Sequence, residues 1–170
     1  MTFHARMTPM ELALTDGSTC LVREAVASDL ESIVALLADD QLGATRESVQ
    51  NMDGYRTAFE DISSDPRNVL VVVVHGDEVV GTLQSTVIPG LARGGALRAQ
   101  IEAVRVAATW RSRGLGGALI EWAIEEATRR GCALVQLTSD SRRVDAHRFY
   151  TRLGFTASHV GFKKAIGTTH

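Results

Sequence analysis

Hydrophobic and polar positions along this chain follow two rhythms, period 2 and period 3.6, and the switches between them mark its elements. Residues 1–17 show neither rhythm and read as a flexible or loosely packed leader. Thr19 to Arg23 reads as a short strand. Ser28 and Glu31 have capping-box spacing. Leu30, Ile33, Val34 and Leu37 follow at helical intervals, so a first helix is predicted over residues 28–38. Gly43 breaks the chain after it. A second helical stretch begins near Thr45, with Val49, Met52, Tyr55, Phe59 and Ile62 on one stripe, and Pro66 ends it. Gly54 weakens that stretch in the middle, by about 1 kcal/mol relative to alanine.

Val69 to Val74 is an unbroken β-branched and aliphatic run, the pattern of a strand buried on both faces. The turn His75-Gly76-Asp77-Glu78 and the strand Val79 to Ile88 complete a β-hairpin. Pro89-Gly90 interrupts the chain, and Arg93-Gly94-Gly95 predicts a mobile loop. Ala99 to Val106 reads as a strand with Gln100, Glu102, Val104 and Val106 on one face and Ile101, Ala103 and Arg105 on the other. Leu115, Ala118, Leu119, Trp122, Ala123 and Ala127 make the apolar stripe of a strong helix. Glu121, Glu125 and Arg129 lie opposite at favourable i,i+4 spacing, and Gly131 suits its C-terminal cap. A strand at Ala133 to Thr138, a helix over 142–153, and short strands near Thr156–Val160 and Phe162–Ala165 finish the chain. The order predicts an α/β fold with a sheet of mixed direction and a parallel pair within the β-α-β unit at 99–138. Residues 18–167 form a single domain in this reading.

Composition narrows the function. The 170 residues carry a formal net charge of −2, and the pI is near 6.2. Such a surface has no general attraction for nucleic acid or anionic membranes, so neither is expected as a partner. Any polyanion site must be local. Cys20 and Cys132 are far apart and form no C-x-x-C pair, so neither a disulfide framework nor a zinc site is expected. His4, His75, His147, His159 and His170 show no metal-binding spacing, and no metal is expected. No stretch approaches a membrane span, and Met1 to Met10 has no apolar secretory core, so a cytoplasmic location is expected. Exposed strand edges invite pairing, so a homodimer is compatible with the sequence.

The chemistry concentrates at Arg111-Ser112-Arg113-Gly114-Leu115-Gly116-Gly117, between a strand and a helix. Glycines there let the backbone approach a ligand closely. The first amides of the helix lack internal acceptors and, with the helix dipole, form an anion site suited to a pyrophosphate. Arg111 and Arg113 add positive charge. A plain basic turn has the same composition, and the residues alone leave both readings open. The segment has neither the lysine of a P-loop nor the third glycine of a dinucleotide-binding fingerprint.

Arg111-Ser112-Arg113-Gly114-Leu115-Gly116 resembles the Arg/Gln-x-x-Gly-x-Gly/Ala signature of the GNAT acetyltransferases. The preceding Ile101-Glu102-Ala103-Val104-Arg105-Val106 resembles the strand leading into it. The segment from Ala146 to Phe155, with Tyr150 and Gly154, resembles the family's late Ala-x-x-x-Tyr-x-x-x-Gly-Phe segment. The likeness spans residues 19–165 and is strong across 99–155. It implies a mixed parallel/antiparallel central sheet flanked by helices, with acetyl-CoA as cosubstrate. The backbone of Val104 and Val106 would bind the pantetheine arm, with a backbone amide near Val104 as oxyanion donor. The amides around Arg113, Gly114, Gly116 and Gly117 would hold the pyrophosphate. Arg105, Arg111 and Leu115 fall within the same cofactor-binding segments. The family often carries an asparagine where this chain has Arg143, which suggests a phosphate contact from that arginine instead.

The implied reaction is attack by a primary amine on the thioester within a ternary complex, without a covalent enzyme intermediate. The amine must lose a proton, and the departing thiolate must gain one or be stabilised. Glu102, two residues before Val104, is the leading base, acting directly or through water; a surface or ion-paired glutamate is the alternative. Tyr150 falls where many relatives place a tyrosine near the cofactor sulfur; a packing role beside Phe149 and Phe155 is its alternative. His147 is a further candidate base. The acceptor is a small-molecule or peptide amine. Two other functions fit the same residues: a non-catalytic acetyl-CoA sensor, and a transferase for another acyl-CoA.

Overall fold

The valine run forms the third strand of a six-stranded sheet in the computed structural model, which describes residues 7–39 and 51–167. The strands lie side by side in chain order: β1 (Met10–Ala13), β2 (Thr19–Glu24), β3 (Asn68–His75), β4 (Glu78–Ile88), β5 (Leu97–Val106) and β6 (Cys132–Leu137). Val71, Val72 and Val73 are fully buried, as a run apolar on both faces requires. The pairings from β1 through β5 are antiparallel. The sheet is mixed, and its parallel step falls at β5–β6, across the crossover helix α4 (Leu115–Arg129). The described residues divide into two compact units between Gln136 and Leu137.

In the first unit, α1 (Leu30–Ala38) and α2 (Asp53–Ser64) share a small apolar cluster of Leu30, Val34 and Met52, with Tyr55 and Phe59 against it. Helix α4 buries Leu115, Leu119, Ile120, Trp122, Ala123 and Ala127 and packs against β4 and β5. Gly131 follows it at φ 78° and donates its N–H to the Thr128 carbonyl, as a C-terminal cap should. The second unit carries α5 (Val144–Arg152).

Several expectations need correction. Residues 10–13 are not leader but strand β1, whose register pairs Met10 with Val22 and Ala13 with Thr19. Leu12 and Leu14 are buried there, but four residues are too few to show a rhythm in the sequence. The Ser28–Glu31 box does not start α1. Asp29 instead accepts the Val26 N–H at 2.8 Å and a bidentate pair from Arg23 at 2.7 and 2.9 Å, tying β2 to the helix. Helix α2 begins at Asp53, so Gly54 is its second residue rather than its middle; Gly43, Thr45 and Val49 lie outside the described residues. Arg93 and Gly94, at φ 57° and 69°, lie within a single turn, α3 (Ala92–Gly95). Arg129 pairs with Glu126 at 2.7 Å, not with Glu125, because Glu126 is the buried carboxylate. The helix expected over 142–153 is α5, starting at Val144, and it has no fully buried residue; Ala146, Phe149 and Leu153 are half-buried. The strands expected near 156–160 and 162–165 are not formed. A period-2 pattern becomes a strand only where a partner completes the ladder, and Phe162 stays 93% exposed.

Candidate active site

The strand that leads into the site does not alternate throughout. Gln84 pairs with Glu102, while Thr82 pairs with Arg105, so two residues of β5 stand where β4 supplies one. This β-bulge falls at Ala103, whose φ is 54°. The extra residue reverses the alternation beyond it. Glu102 and Arg105 therefore share a face, which overturns the expected grouping of Glu102 with Val104 and Val106. Glu102 is exposed on β5, so burial supplies no argument for its role. The Val104 carbonyl accepts Nη1 of Arg105 at 2.8 Å, and the Val106 carbonyl accepts Nε of Arg111 at 3.3 Å.

Past β5, a 3-10 turn over Ala108–Trp110 leads to Ser112 at φ 64° and Gly114 at φ 86°. These two left-handed residues turn the chain into α4, with Gly114 as its N-cap. The first helical return bond joins the Ala118 N–H to the Gly114 carbonyl at 3.0 Å. The amides of Leu115, Gly116 and Gly117 precede it and have no acceptor within the helix. A Cβ on Gly117 would meet nothing within 4 Å, so that position has room around it. A Cβ on Gly114 would stand 2.8 Å from Cγ2 of Thr15. Gly114 is thus required by its own backbone and by the β1–β2 turn, which sequence reading had not foreseen. First-turn amides without helical acceptors and the positive end of a fifteen-residue helix fit a diphosphate.

Both arginines of the signature are engaged by the protein. Arg111 meets the Asp39 carboxylate at 3.3 Å. Arg113 stands 3.7 Å from the Asp16 carboxylate, with its guanidinium 4.6 Å from the centre of the buried Trp110 ring. Trp110 in turn lies 4.7 Å from His75. Asp16 is held below the usual carboxylate range, first by the side chain and backbone N–H of Ser18, then by the Arg113 charge. Thr15, Asp16 and Trp110 are neighbours of the signature that the sequence did not reveal. The Thr-Asp-Gly-Ser run signals a turn, but nothing local says where that turn docks.

In the second unit, Tyr150 is half-buried, with ring centres 5.1 Å from Phe149 and 5.8 Å from Phe155. His147 bonds through Nε2 to the Asp140 carbonyl at 2.8 Å. Arg143 is the N-cap of α5 and donates its backbone N–H to the Asp140 carbonyl. Cys20 and Cys132 are free cysteines, and burial pushes both thiols up, the wrong direction for a nucleophilic thiolate. Among the described residues, no group of three or more His, Cys, Asp or Glu could hold a metal, and no helix is long and apolar enough to cross a membrane. A hollow of about 240 Å³ at Glu11, Thr19, Cys20, Leu21, Val74, His75 and Gly76 includes none of the candidate site residues.

Residues 30–155 match the model of the acetyltransferase (GNAT) family. The chain belongs to that family, and the protein is an acyltransferase of the GNAT fold, whose members use acetyl-CoA. It is 29% identical over 147 residues to aminoalkylphosphonate N-acetyltransferase of Salmonella typhimurium, covering 86% of this chain and 92% of that one. A crystal structure described as a transcriptional regulator from Bacillus halodurans is 48% identical, with a TM-score of 0.82, over 85% of this chain and 98% of that chain. AAC(6')-Iy, solved with the bisubstrate analogue CoA-S-monomethyl-acetylneamine, shares the fold at 16% identity and a TM-score of 0.71, over 87% and 99% of the two chains.

Proposed function

We propose that this protein transfers the acetyl group of acetyl-CoA to a primary amine of a small molecule by direct attack in a ternary complex. The observation that carries the reading is the left-handed entry into α4 at Gly114, after which the Leu115, Gly116 and Gly117 amides precede the first helical return bond and have no acceptor within the helix. Those amides and the helix dipole would hold the diphosphate of acetyl-CoA. Val104, Arg105, Val106, Arg111 and Arg113 lie on the segments leading to that point, and Arg143 is a candidate phosphate contact. Residues 18–167 form the N-acetyltransferase domain in this reading, with β1 added to its sheet.

Glu102 takes a proton from the incoming ammonium, directly or through water. Its side chain is exposed to solvent, so a water relay is the simpler path. The freed nitrogen forms the C–N bond, the carbonyl oxygen passes through an oxyanion, the C–S bond breaks, and the nitrogen gives up its remaining excess proton to water as the amide forms. The departing sulfur takes a proton or hydrogen bond from the Tyr150 hydroxyl, a role that rests on the family resemblance. The aminoalkylphosphonate relative makes short amines bearing a phosphonate the first acceptors to try.

The relative described as a transcriptional regulator supports a second reading, a module that binds acetyl-CoA without turning it over. Release of free CoA thiol across a panel of amines separates the two. Amine-dependent release supports the enzyme, and tight acetyl-CoA binding with no release from any amine supports the sensor. A cytoplasmic location and a homodimer complete the proposal; β1 is an edge strand of the sheet among the described residues, which supports pairing, and sedimentation of the purified chain tests it.

A further inference from the structure

The turn between β1 and β2 reaches the signature loop through backbone as well as side chains. Thr15 donates twice to one acceptor: its N–H lies 3.2 Å, and its hydroxyl 2.9 Å, from the carbonyl oxygen of Arg113. The same threonine fills the space where a Gly114 Cβ would stand. Asp16, next in the turn, faces the Arg113 guanidinium, and Ser18 fixes the Asp16 carboxyl through its backbone N–H at 2.9 Å and its hydroxyl. The same guanidinium stands over the Trp110 ring. Arg113 is therefore held at three points, two of them on a hairpin nearly a hundred residues away.

The peptide joining Arg113 to Gly114 is trans and planar, so its carbonyl and its N–H point in opposite directions. With the carbonyl drawn to Thr15, the Gly114 N–H is aimed away from the hairpin. Gly114 is the N-cap, so its amide immediately precedes the outward amides of the first turn. A left-handed glycine has a soft backbone, and nothing in its own conformation selects one orientation of the preceding peptide. The hairpin supplies that selection.

We infer that Thr15 is a positioning residue for acetyl-CoA: its paired hydrogen bonds to the Arg113 carbonyl orient the Arg113–Gly114 peptide so that the loop amides are preorganised for the diphosphate. This rests on the acetyl-CoA reading above. Asp16 fixes the Arg113 side chain on the hairpin, so the cradle works through backbone amides and not through the charge of Arg113. Preorganised amides cost nothing to align when the ligand arrives; a loop free to rotate its peptide binds more weakly.

The test is Thr15→Val, which removes the hydroxyl and keeps the shape, with Thr15→Ser as the conservative control. Acetyl-CoA and S-acetylpantetheine, which has the thioester arm but no diphosphate, serve as the two probes, by calorimetry and by saturation kinetics with one amine. Thr15→Val is expected to weaken acetyl-CoA binding about three- to tenfold, the range for losing one hydrogen bond. It is expected to raise KM for acetyl-CoA with little change in kcat, and to leave S-acetylpantetheine unaffected. Thr15→Ser restores the wild-type affinity. Equal acetyl-CoA affinity in wild type and Thr15→Val, or an equal loss for both probes, overturns the inference. A wild-type protein that binds no acetyl-CoA overturns the underlying reading instead. A circular-dichroism melt of each variant keeps a folding defect from imitating the result.

Discussion

Glu102 on β5 stands directly across from Gln84 on β4, one residue before the chain bulges at Ala103. The bulge separates this carboxylate from the regular alternation of Val104 and Val106. It also puts Arg105 on the face of Glu102. A base at the last regular position of the strand, beside the break in the ladder, has access to solvent from which a water relay can form.

Glu102→Gln keeps the shape and removes the proton acceptor. Turnover is expected to fall about 10²–10⁴-fold, the usual contribution of a general base. Acetyl-CoA affinity is expected to stay near wild type. Stability is expected to hold within about 0.5 kcal/mol, because the side chain is exposed. Steady-state rates across pH, paired with calorimetry, measure both quantities; a wild-type rate profile would remove Glu102 from the mechanism.

The two glycines flanking the first turn of α4 are expected to respond in opposite ways. Gly114→Ala places a Cβ 2.8 Å from Thr15 Cγ2 on a residue at φ 86°, so it is expected to cost about 1–3 kcal/mol of stability. Gly117→Ala meets no atom within 4 Å and gains helix propensity, so its melting temperature is expected to hold or rise. Its acetyl-CoA affinity is expected to drop, since the added methyl stands in the first turn proposed to hold the diphosphate. Undiminished affinity in Gly117→Ala would place the diphosphate elsewhere.

Much of the fold was legible because its signals are local. The valine run of β3, the stripe of α4 and the Gly131 cap each announce themselves within a few residues. The signature loop was legible for the same reason, since a glycine-rich entry to a helix is a local pattern. The errors fall where distant contacts decide. Strand β1 is too short to show a rhythm and exists because β2 offers it a ladder. The bulge at Ala103 depends on the register with β4. Asp29 displaces Ser28 as the capping group because Arg23 and Val26 converge on it. The engagement of Arg113 by Thr15 and Asp16 spans most of the chain and leaves no mark in either segment.

Acid is expected to destabilise the fold through Glu126. Burial alone would push this carboxyl up, but hydrogen bonds and charge from Arg129 and Arg130 outweigh it and hold it below its ordinary value. The folded state thus binds this proton less readily than the unfolded chain. Its contribution is complete above the ordinary glutamate pKa, near 4.5, and fades as pH falls through the lower folded value. Glu126→Gln is expected to cost about 2–4 kcal/mol at neutral pH, since Arg130 is left nearly buried beside Pro66 without its carboxylate. It is also expected to flatten the loss of stability below pH 4.5. Urea melts at several pH values check both; a variant with the same acid slope as wild type would contradict the assignment.

Tyr150→Phe retains the ring and its contacts with Phe149 and Phe155, so stability is expected to change by less than about 1 kcal/mol. If the hydroxyl serves the departing sulfur, turnover falls sharply while acetyl-CoA affinity holds, because the lost interaction is strongest as charge builds on sulfur. Single-turnover rates isolate the chemical step. An unchanged single-turnover rate reduces Tyr150 to a packing residue.

The central claim, direct acetyl transfer to an amine, is tested most directly by following a labelled acetyl group. The protein is mixed with acetyl-labelled acetyl-CoA, with and without a short aminoalkylphosphonate and a panel of other small primary amines, and the label is traced to cofactor, protein and amine. The account predicts that label leaves acetyl-CoA only when an acceptor amine is present, that it appears on the amine, and that none is retained on the protein. Label accumulating on the protein before any amine is added, or no transfer to any amine by a protein that binds acetyl-CoA, would contradict it.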